Sequence, residues 1–268
     1  MKTFLPILLL AFCSFVFHVS LSAQDGDREY VIVEYMKVKP GMNAKYLECE
    51  KAWKLIHQAR LKKGLITGWE LEEVMVPGGT NAEYGYLTIT HLKNWKGIDA
   101  LNQSWDDATW AALTQGLTDE QKEAANSAGQ YRDLIKREIW TGGDMVFAPG
   151  TAHPLYRVEN FMNIPAGGME EWVEMETRFV KPVHEKSIAM GNRAGWLMGF
   201  MVLPSGSEYP YQASTVDFFN TWEDMQKSNQ AAWDAVYPGM SDAYIGNRIE
   251  STRTIVRTEL RRLVDFVE

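Results

Sequence analysis

The chain has 268 residues, of which 46% are hydrophobic and 23% charged, and its formal net charge is −8 at pH 7. An acidic chain with no run of basic residues is a poor binder of nucleic acid, so we expect no nucleic-acid partner. One of the two cysteines, Cys13, lies in the N-terminal leader, which excludes an internal disulfide in the mature protein.

The first 23 residues have the pattern of a secretory signal peptide. Lys2 supplies a positive start, Phe4–Phe17 is mostly apolar, and Ser22 and Ala23 are small residues suited to cleavage. The apolar run is too short to span a bilayer comfortably, and no later run reaches that length. We therefore predict a secreted or periplasmic protein without a membrane segment after cleavage; the alternative is an uncleaved anchor.

In the first half, the predicted order is strand, helix, strand, strand, helices, strand. Alternating β-branched and aromatic residues predict a strand over Tyr30–Val38, and apolar residues spaced three and four apart predict a helix ending near Lys63. Leu65–Val76 and Glu83–His91 form a predicted hairpin, and Tyr131–Trp140 is the last strand. Before that strand, the segment 118–121 resembles a capping box at a helix start.

The second half repeats this order. Its predicted strands are Tyr156–Ile164, Asn192–Leu203, Tyr209–Phe219 and Thr252–Val264. A helix from Met169 to about Met190 follows the first strand, with a kink expected at Pro182. The segment 141–154 is rich in Gly and Pro and predicts a linker, so we divide the mature chain into domains at 24–140 and 155–268.

The two halves are also similar position by position. Gly68 and Trp69 recur 127 residues later as Gly195 and Trp196. Further pairs at this offset are Lys54 and Lys181, His57 and His184, Pro77 and Pro204, Tyr84 and Tyr211, and Trp95 and Trp222. A period this long predicts a duplicated unit of domain size rather than a solenoid repeat.

A βαββαβ unit places its helices on one face of a four-stranded antiparallel sheet, and two such units can bury their uncovered faces together. With the break after each first strand (Pro40 and Gly41; Pro165 to Gly168) and the Gly-Trp pair, the pattern resembles the dimeric α+β barrel superfamily. This superfamily includes antibiotic-biosynthesis monooxygenases and NIPSNAP-like domains. The resemblance covers nearly all of the mature chain. It implies an α+β fold class, with two tandem ferredoxin-like units packed sheet to sheet as an intramolecular barrel, and it leaves open a homodimer of such pseudo-dimers.

Strong catalytic and metal-binding motifs are absent from the sequence. It contains no CxxC, HExxH, Walker loop, dinucleotide GxGxxG or GxSxG. We therefore expect no metal and no resident cofactor, and whether the protein is an enzyme stays open.

His57 and His184 occupy the same repeat position and are the first candidates for catalysis. Each directly follows an apolar residue of the helix stripe, which places it at the edge of the buried face, beside a crevice between helix and sheet. The functional interpretation is a general base, or a ligand for metal or haem. The structural alternative is that both imidazoles pack or hydrogen-bond at the helix end.

Glu34 and Glu159 are candidate catalytic carboxylates in the middle of otherwise apolar first strands. A carboxylate in such a strand must be paired, hydrated or perturbed in its pKa. Arg132 and Arg253, on the fourth strands, are the expected partners in a structural salt bridge. The functional alternative is a general base in the barrel cavity.

Candidate ligand-binding residues come partly from differences between the halves. His91 stands where the second half has Phe218, and Thr90 stands where it has Asp217, so these positions favour a pocket in one half. The predicted ligand-binding residues are His91, Trp69, Trp196, Tyr86 and Asp217. For the tryptophans, the alternative is a place in the core.

Three functions stay open. The first is an exported module that binds a small apolar or aromatic molecule. The second, which the superfamily resemblance implies, is a cofactor-independent monooxygenase, cyclase or isomerase with His57 or His184 as base. The third is haem binding, which requires an axial ligand such as His57, His184 or His91. The lack of cofactor motifs in this acidic chain favours the first two.

Overall fold

The computed structural model of the chain describes residues 28–103, 105–151 and 153–268. The signal peptide predicted at 1–23 lies outside these residues. Within the described ranges, no helix combines the length and the apolar character needed to cross a membrane.

The first half has the predicted element order. Its strands are β1 (Tyr30–Val38), β2 (Gly68–Val76), β3 (Tyr86–Leu92) and β4 (Arg132–Phe147). Its helices are α1 (Asn43–Lys62), α2 (Trp95–Gln103), α3 (Asp107–Thr114), α4 (Asp119–Asn126) and α5 (Ala128–Tyr131). β1 covers the residues that the alternation predicts, and Thr118 caps α4 in the expected capping box with Gln121.

The second half follows the same order. Its strands are β5 (Tyr156–Asn163), β6 (Gly195–Leu203), β7 (Ala213–Phe219) and β8 (Thr254–Val267), and its α-helices are α6 (Met169–Glu174), α7 (Lys181–Ala189), α8 (Gln230–Val236) and α9 (Asp242–Glu250). The irregularity expected at Pro182 is a π-helical segment, Met175–Val180, just before it. Because proline has no N–H to donate to the preceding turn, a wider turn is tolerated there.

The eight strands formed by the described residues close into one antiparallel barrel in the order β1-β3-β2-β8-β5-β7-β6-β4. β4 pairs with β6 and β2 pairs with β8, so hydrogen bonds join the edges of the two four-stranded sheets. Because side chains alternate along each strand, one set faces the barrel interior and the other faces the surrounding helices. The α+β fold class predicted from the sequence is confirmed.

The connection between the halves is shorter than predicted. β4 continues to Phe147, well into the segment 141–154 that the sequence predicts as a linker. The strand gains a second partner there, because Val146 pairs with Trp196 of β6. Gly142 stands at a shift in this pairing, so the glycines that suggested a linker mark a β-bulge instead.

The pairing register defines which residues of the two halves correspond. Tyr30 pairs with Leu92 in the first half, as Tyr156 pairs with Phe219 in the second. We call residues at the same register position of the two halves corresponding residues. Two buried clusters pack the outer sheet faces against the helices, around Trp69 and around Trp196, and a third lies inside the barrel around Tyr35, Tyr84 and Tyr211.

Candidate functional site

The barrel encloses a cavity of about 660 Å³. It lies toward the end of the barrel where β1 and β5 begin, and the partly exposed His91 and His153 line it there. Pockets for small organic ligands are typically roughly 300–1,000 Å³. The volume therefore suits a small organic molecule.

One side of the cavity, the charged wall, carries ionisable groups on the consecutive strands β3, β2, β8 and β5. These inward-facing residues are His91, Glu70, Glu72, Arg261, Arg157 and Glu159. Arg157 bonds to both Glu70 and Glu72. Arg261 lies 3.1 Å from Glu72 and also contacts Glu159. The groups thus form one connected ion-pair network along the cavity.

The opposite side, the apolar wall, is formed by β7, β6, β4 and β1. Its residues are Phe218, Val216, Leu197, Gly199, Trp140, Val33 and Val31. Six of them correspond to members of the charged wall: Val31 to Arg157, Val33 to Glu159, Leu197 to Glu70, Gly199 to Glu72, Phe218 to His91 and Trp140 to Arg261. The backbone is therefore nearly two-fold symmetric, while the cavity has two chemically different sides.

The other end of the barrel is closed by tyrosine–carboxylate hydrogen bonds, which we call the floor. The Tyr84 hydroxyl donates to Glu259 at 2.5 Å, and the Tyr211 hydroxyl donates to Glu138 at 2.6 Å. The hydroxyl of Tyr35 also donates to Glu138, at 2.7 Å. Both carboxylates are almost fully buried. The Tyr84 and Tyr211 bonds each join one half of the chain to the other.

Burial and pairing shift the pKa values of the charged wall. Burial lowers the pKa of Arg157 and of Arg261. For Glu70, burial alone would raise the pKa, but the Arg157 guanidinium beside it holds this pKa below its ordinary value. Three carboxylates therefore face two guanidinium groups on this wall, which favours a neutral or cationic ligand group over an anionic one.

His57 and His184 lie between helix and sheet, as the sequence predicts, but outside the barrel and away from this cavity. Each imidazole is stacked on a tryptophan: His57 on Trp69, with centroids 4.8 Å apart and planes 14° apart, and His184 on Trp196 at 4.8 Å and 16°. Burial, together with a nearby arginine in each half, lowers the pKa of both histidines well below the ordinary value. Both imidazoles are therefore neutral at neutral pH.

Glu34 and Glu159 face opposite sides of the barrel wall. The residue corresponding to Glu159 is Val33, one position before Glu34, and a difference of one residue turns a side chain to the other face. Glu34 faces the helices and pairs with Arg137, so it does not line the barrel cavity. Glu159 does line the cavity, where its partner is Arg261.

The predicted salt bridges of Arg132 and Arg253 with Glu34 and Glu159 are wrong, because both arginines have other partners. Arg253, which directly precedes β8, bonds to the buried helix residue Glu176. Its counterpart Arg132 lies near Glu50, whose pKa burial raises to about 7 against the opposing effect of the arginine charge. Sequence reasoning missed both glutamates because they lie on predicted helices; their separation of 126 residues, the same as that of Tyr30 and Tyr156, was the available signal.

Among the predicted ligand-binding residues, only His91 lines the barrel cavity, where its Nε2 lies 3.7 Å from Oε1 of Glu70. The two tryptophans stand in the histidine stacks. The Tyr86 hydroxyl faces the helices and donates to Asn43 at 2.9 Å. Asp217 bonds to Arg193 beside the stack of the second half.

A second, smaller cavity of about 200 Å³ lies between α1 and the sheet of the first half. His57 and Trp69 line it, together with Glu50 and Arg60. Among the residues that the structure describes, no group of three or more His, Cys, Asp or Glu is placed to hold a metal ion.

Comparison with solved structures shows which folds this chain is similar to. A candidate monooxygenase from Fusobacterium nucleatum superposes with a TM-score of 0.54 and 6% sequence identity, over 90% of this chain and 94% of that chain. A chlorite dismutase variant from Candidatus Nitrospira defluvii, in complex with cyanide, has a TM-score of 0.47 and 8% identity, over 90% and 92% of the two chains. A haem-binding protein from Thermus thermophilus has a TM-score of 0.48 and 10% identity, over 89% and 92%.

At these identities the likeness bears on the fold alone. The chain has the overall fold of the Fusobacterium protein, and its own architecture is mixed α+β with a closed antiparallel barrel. No protein-family model matches the chain, and no curated protein matches it.

Proposed function

We propose that the protein is an exported module that binds a small amphipathic ligand inside the barrel, with an aromatic or aliphatic body and a neutral or cationic polar group. The observation that carries this proposal is the division of one cavity of about 660 Å³ into a charged wall and an apolar wall. Cavities that bind small molecules are typically mostly apolar, with a few convergent polar groups.

The apolar wall accounts for the ligand body. Trp140 and Phe218 offer aromatic surface, and Gly199 leaves open the space that the side chain of Glu72 fills on the opposite wall. Burying an aromatic body against such surface is favourable by about 25 cal/mol for each Å² removed from water. A ring held here would direct its substituent toward the charged wall.

The charged wall accounts for the polar group. Its arginines already contact the wall's own carboxylates, so an incoming anion would compete with Glu70, Glu72 and Glu159 for them. An ammonium or hydroxyl group can instead donate to these carboxylates. The ranking expected for one ligand body is therefore amine, then alcohol, with carboxylate weakest.

The test is isothermal titration of the folded protein with naphthylmethylamine, naphthylmethanol and naphthoate, which share one aromatic body and differ in the polar group. We expect the amine and the alcohol to bind, and naphthoate to bind at least about tenfold more weakly than the amine, which corresponds to about 1.4 kcal/mol. Equal affinity for all three would contradict the role of the charged wall. No binding by any of them would contradict the proposal for aromatic ligands.

Haem does not fit the residues present. His57 and His184 are stacked on tryptophans, and the cavity beside His57 has only about 200 Å³. His91 faces the larger cavity, but there the two haem propionates would meet a wall that already has more carboxylates than guanidinium groups. We expect haemin titration to produce no Soret shift that depends on His91.

For the enzyme alternative, the candidate base also differs from the residues that the sequence suggests. Its predicted bases, His57 and His184, do not reach the barrel cavity, whereas His91 does, with its Nε2 3.7 Å from Glu70 and not hydrogen-bonded to it. A reaction on a barrel ligand would therefore use His91 as base. His91→Gln should then abolish turnover of a bound ligand while leaving its affinity nearly unchanged.

A further inference from the structure

The two histidine stacks share their geometry but differ in the residues beside them, because Arg193 and Asp217 of the second half correspond to Ile66 and Thr90 of the first. In the second half, Nδ1 of His184 lies 2.5 Å from Nη1 of Arg193 and 3.7 Å from Oδ1 of Asp217. Asp217 is also bonded to Arg193. The stack on Trp196 is thus completed by an imidazole, a guanidinium and a carboxylate from the chain itself.

In the first half, the carboxylate is missing and a cavity is present. Thr90 pairs with Trp69 in the sheet, as Asp217 pairs with Trp196, so Thr90 corresponds to Asp217. Thr90 and His57 both line the cavity of about 200 Å³. The position that the Asp217 carboxylate takes in the second half therefore corresponds, in the first half, to a position beside this cavity.

Polar atoms along this cavity lack partners in the protein. Nδ1 of His57, Nε1 of Trp53 and Nε of Arg132 are buried and make no hydrogen bond with any residue that the structure describes. Buried polar groups are almost always satisfied, by protein, water or ligand. Two of these atoms, on Trp53 and Arg132, are N–H donors, which suit an acceptor such as an oxygen atom.

The charges around the cavity favour an anion. Three arginines and two glutamates line it: Arg60 on α1, Arg132 and Arg137 on β4, Glu34 on β1 and Glu50 on α1. Burial lowers the pKa of Arg60 only to about 10, so its charge persists at neutral pH. Burial also raises the pKa of Glu50 to about 7, which leaves this carboxyl partly neutral. The net charge of the site is therefore positive.

We propose that this cavity is a binding site for a small carboxylate, which takes beside His57 and Trp69 the position that Asp217 takes beside His184 and Trp196. The ligand class follows from the chain's own second half, where a carboxylate accompanies the same stacked imidazole and the guanidinium of Arg193; in the first half Arg60 supplies the positive charge near His57. A cavity of about 200 Å³ admits acids of a few carbon atoms. The site is separate from the barrel cavity, so it stands or falls independently of the function proposed above.

The test is a titration of the full mature chain with propionate, and with propionamide as the neutral ligand of equal shape, followed by heteronuclear NMR. We expect saturable shifts of the Trp53 indole N–H and of the His57 ring with propionate. Propionamide should bind at least about tenfold more weakly, the order expected when charge-assisted hydrogen bonds are lost. Equal responses to the two ligands, or no response to propionate, would overturn the proposal.

Two variants at one position provide the matched control. Thr90→Asp supplies the carboxylate from the chain, as the second half does, and should abolish the propionate response. Thr90→Val keeps the shape without the charge and should retain the saturable propionate response that Thr90→Asp loses. Undiminished propionate binding to Thr90→Asp would overturn the proposal. Wild-type far-ultraviolet circular dichroism and a cooperative urea transition would show that both variants are folded.

Discussion

Removing the hydroxyl groups of the floor, by Tyr84→Phe or Tyr211→Phe, should destabilise the fold markedly. Each hydroxyl donates to a carboxylate, Glu259 or Glu138, that is at most 2% exposed. A hydrogen bond to a charged group contributes about 1.5–3 kcal/mol. Each carboxylate keeps another partner in the variant, because Tyr35 still donates to Glu138 and Arg257 lies 2.7 Å from Glu259. We therefore expect each variant to lose about 1.5–3 kcal/mol of unfolding free energy, the contribution of the one bond removed.

The matched control is Tyr86→Phe. The Tyr86 hydroxyl donates at 2.9 Å to Asn43, a neutral acceptor in a partly buried place, so its loss should cost only about 0.5–1.5 kcal/mol. Urea unfolding, followed by tryptophan fluorescence and far-ultraviolet circular dichroism, gives the free energies and shows through the m value whether the transition stays two-state.

The floor also predicts a pH dependence. The Tyr84 hydroxyl lowers the pKa of Glu259, which burial raises overall, so this hydrogen bond favours the ionised carboxylate. The cost of Tyr84→Phe should therefore be larger at about pH 8 than at about pH 5, where more of this carboxyl is protonated. If Tyr84→Phe and Tyr211→Phe cost no more than Tyr86→Phe at any pH, the description of the floor is refuted.

Two further predictions concern buried ionisable groups. Burial raises the pKa of Glu50 to about 7, so the folded state retains a proton that the unfolded state releases, and stability falls as pH rises toward 7. Urea unfolding across pH should show the wild type losing roughly 3 kcal/mol relative to Glu50→Gln between about pH 4.5 and 7, and a constant difference would contradict this. Arg157→Met leaves Glu70 and Glu72 without their shared cation and should cost about 3–5 kcal/mol in the same assay. Arg137→Met, at a half-exposed pair, should cost less than about 1 kcal/mol, and equal costs would refute the distinction.

Much of the fold was predictable because strand alternation and turn residues are local signals. The alternation of Tyr30–Val38 and the capping box at Thr118 both match the structure. The extent of β4 was not predictable in this way. Gly142 and Gly143 indicate a break locally, but pairing with β6 continues the strand past them, and that pairing is a long-range interaction.

The candidate site was less predictable, for a physical reason. Charged residues in a strand ordinarily indicate a solvated face, so Arg157 and Arg261 gave no sign of lying inside the barrel. The informative signal was the difference between corresponding residues, which did identify His91 through Phe218. Applied to every inward-facing position, the same comparison shows that Arg157 corresponds to Val31, and it thereby identifies the charged wall.

The most direct test of the central claim is to fill the barrel cavity from its apolar wall. Gly199 has ordinary backbone geometry, and a Cβ added there would meet its nearest neighbours at ordinary contact distances of 3.5–3.7 Å. Gly199→Ala should therefore bind naphthylmethylamine as the wild type does, whereas Gly199→Leu should bind it at least about tenfold more weakly in isothermal titration. Equal affinity of the wild type, Gly199→Ala and a folded Gly199→Leu would contradict a ligand site inside the barrel.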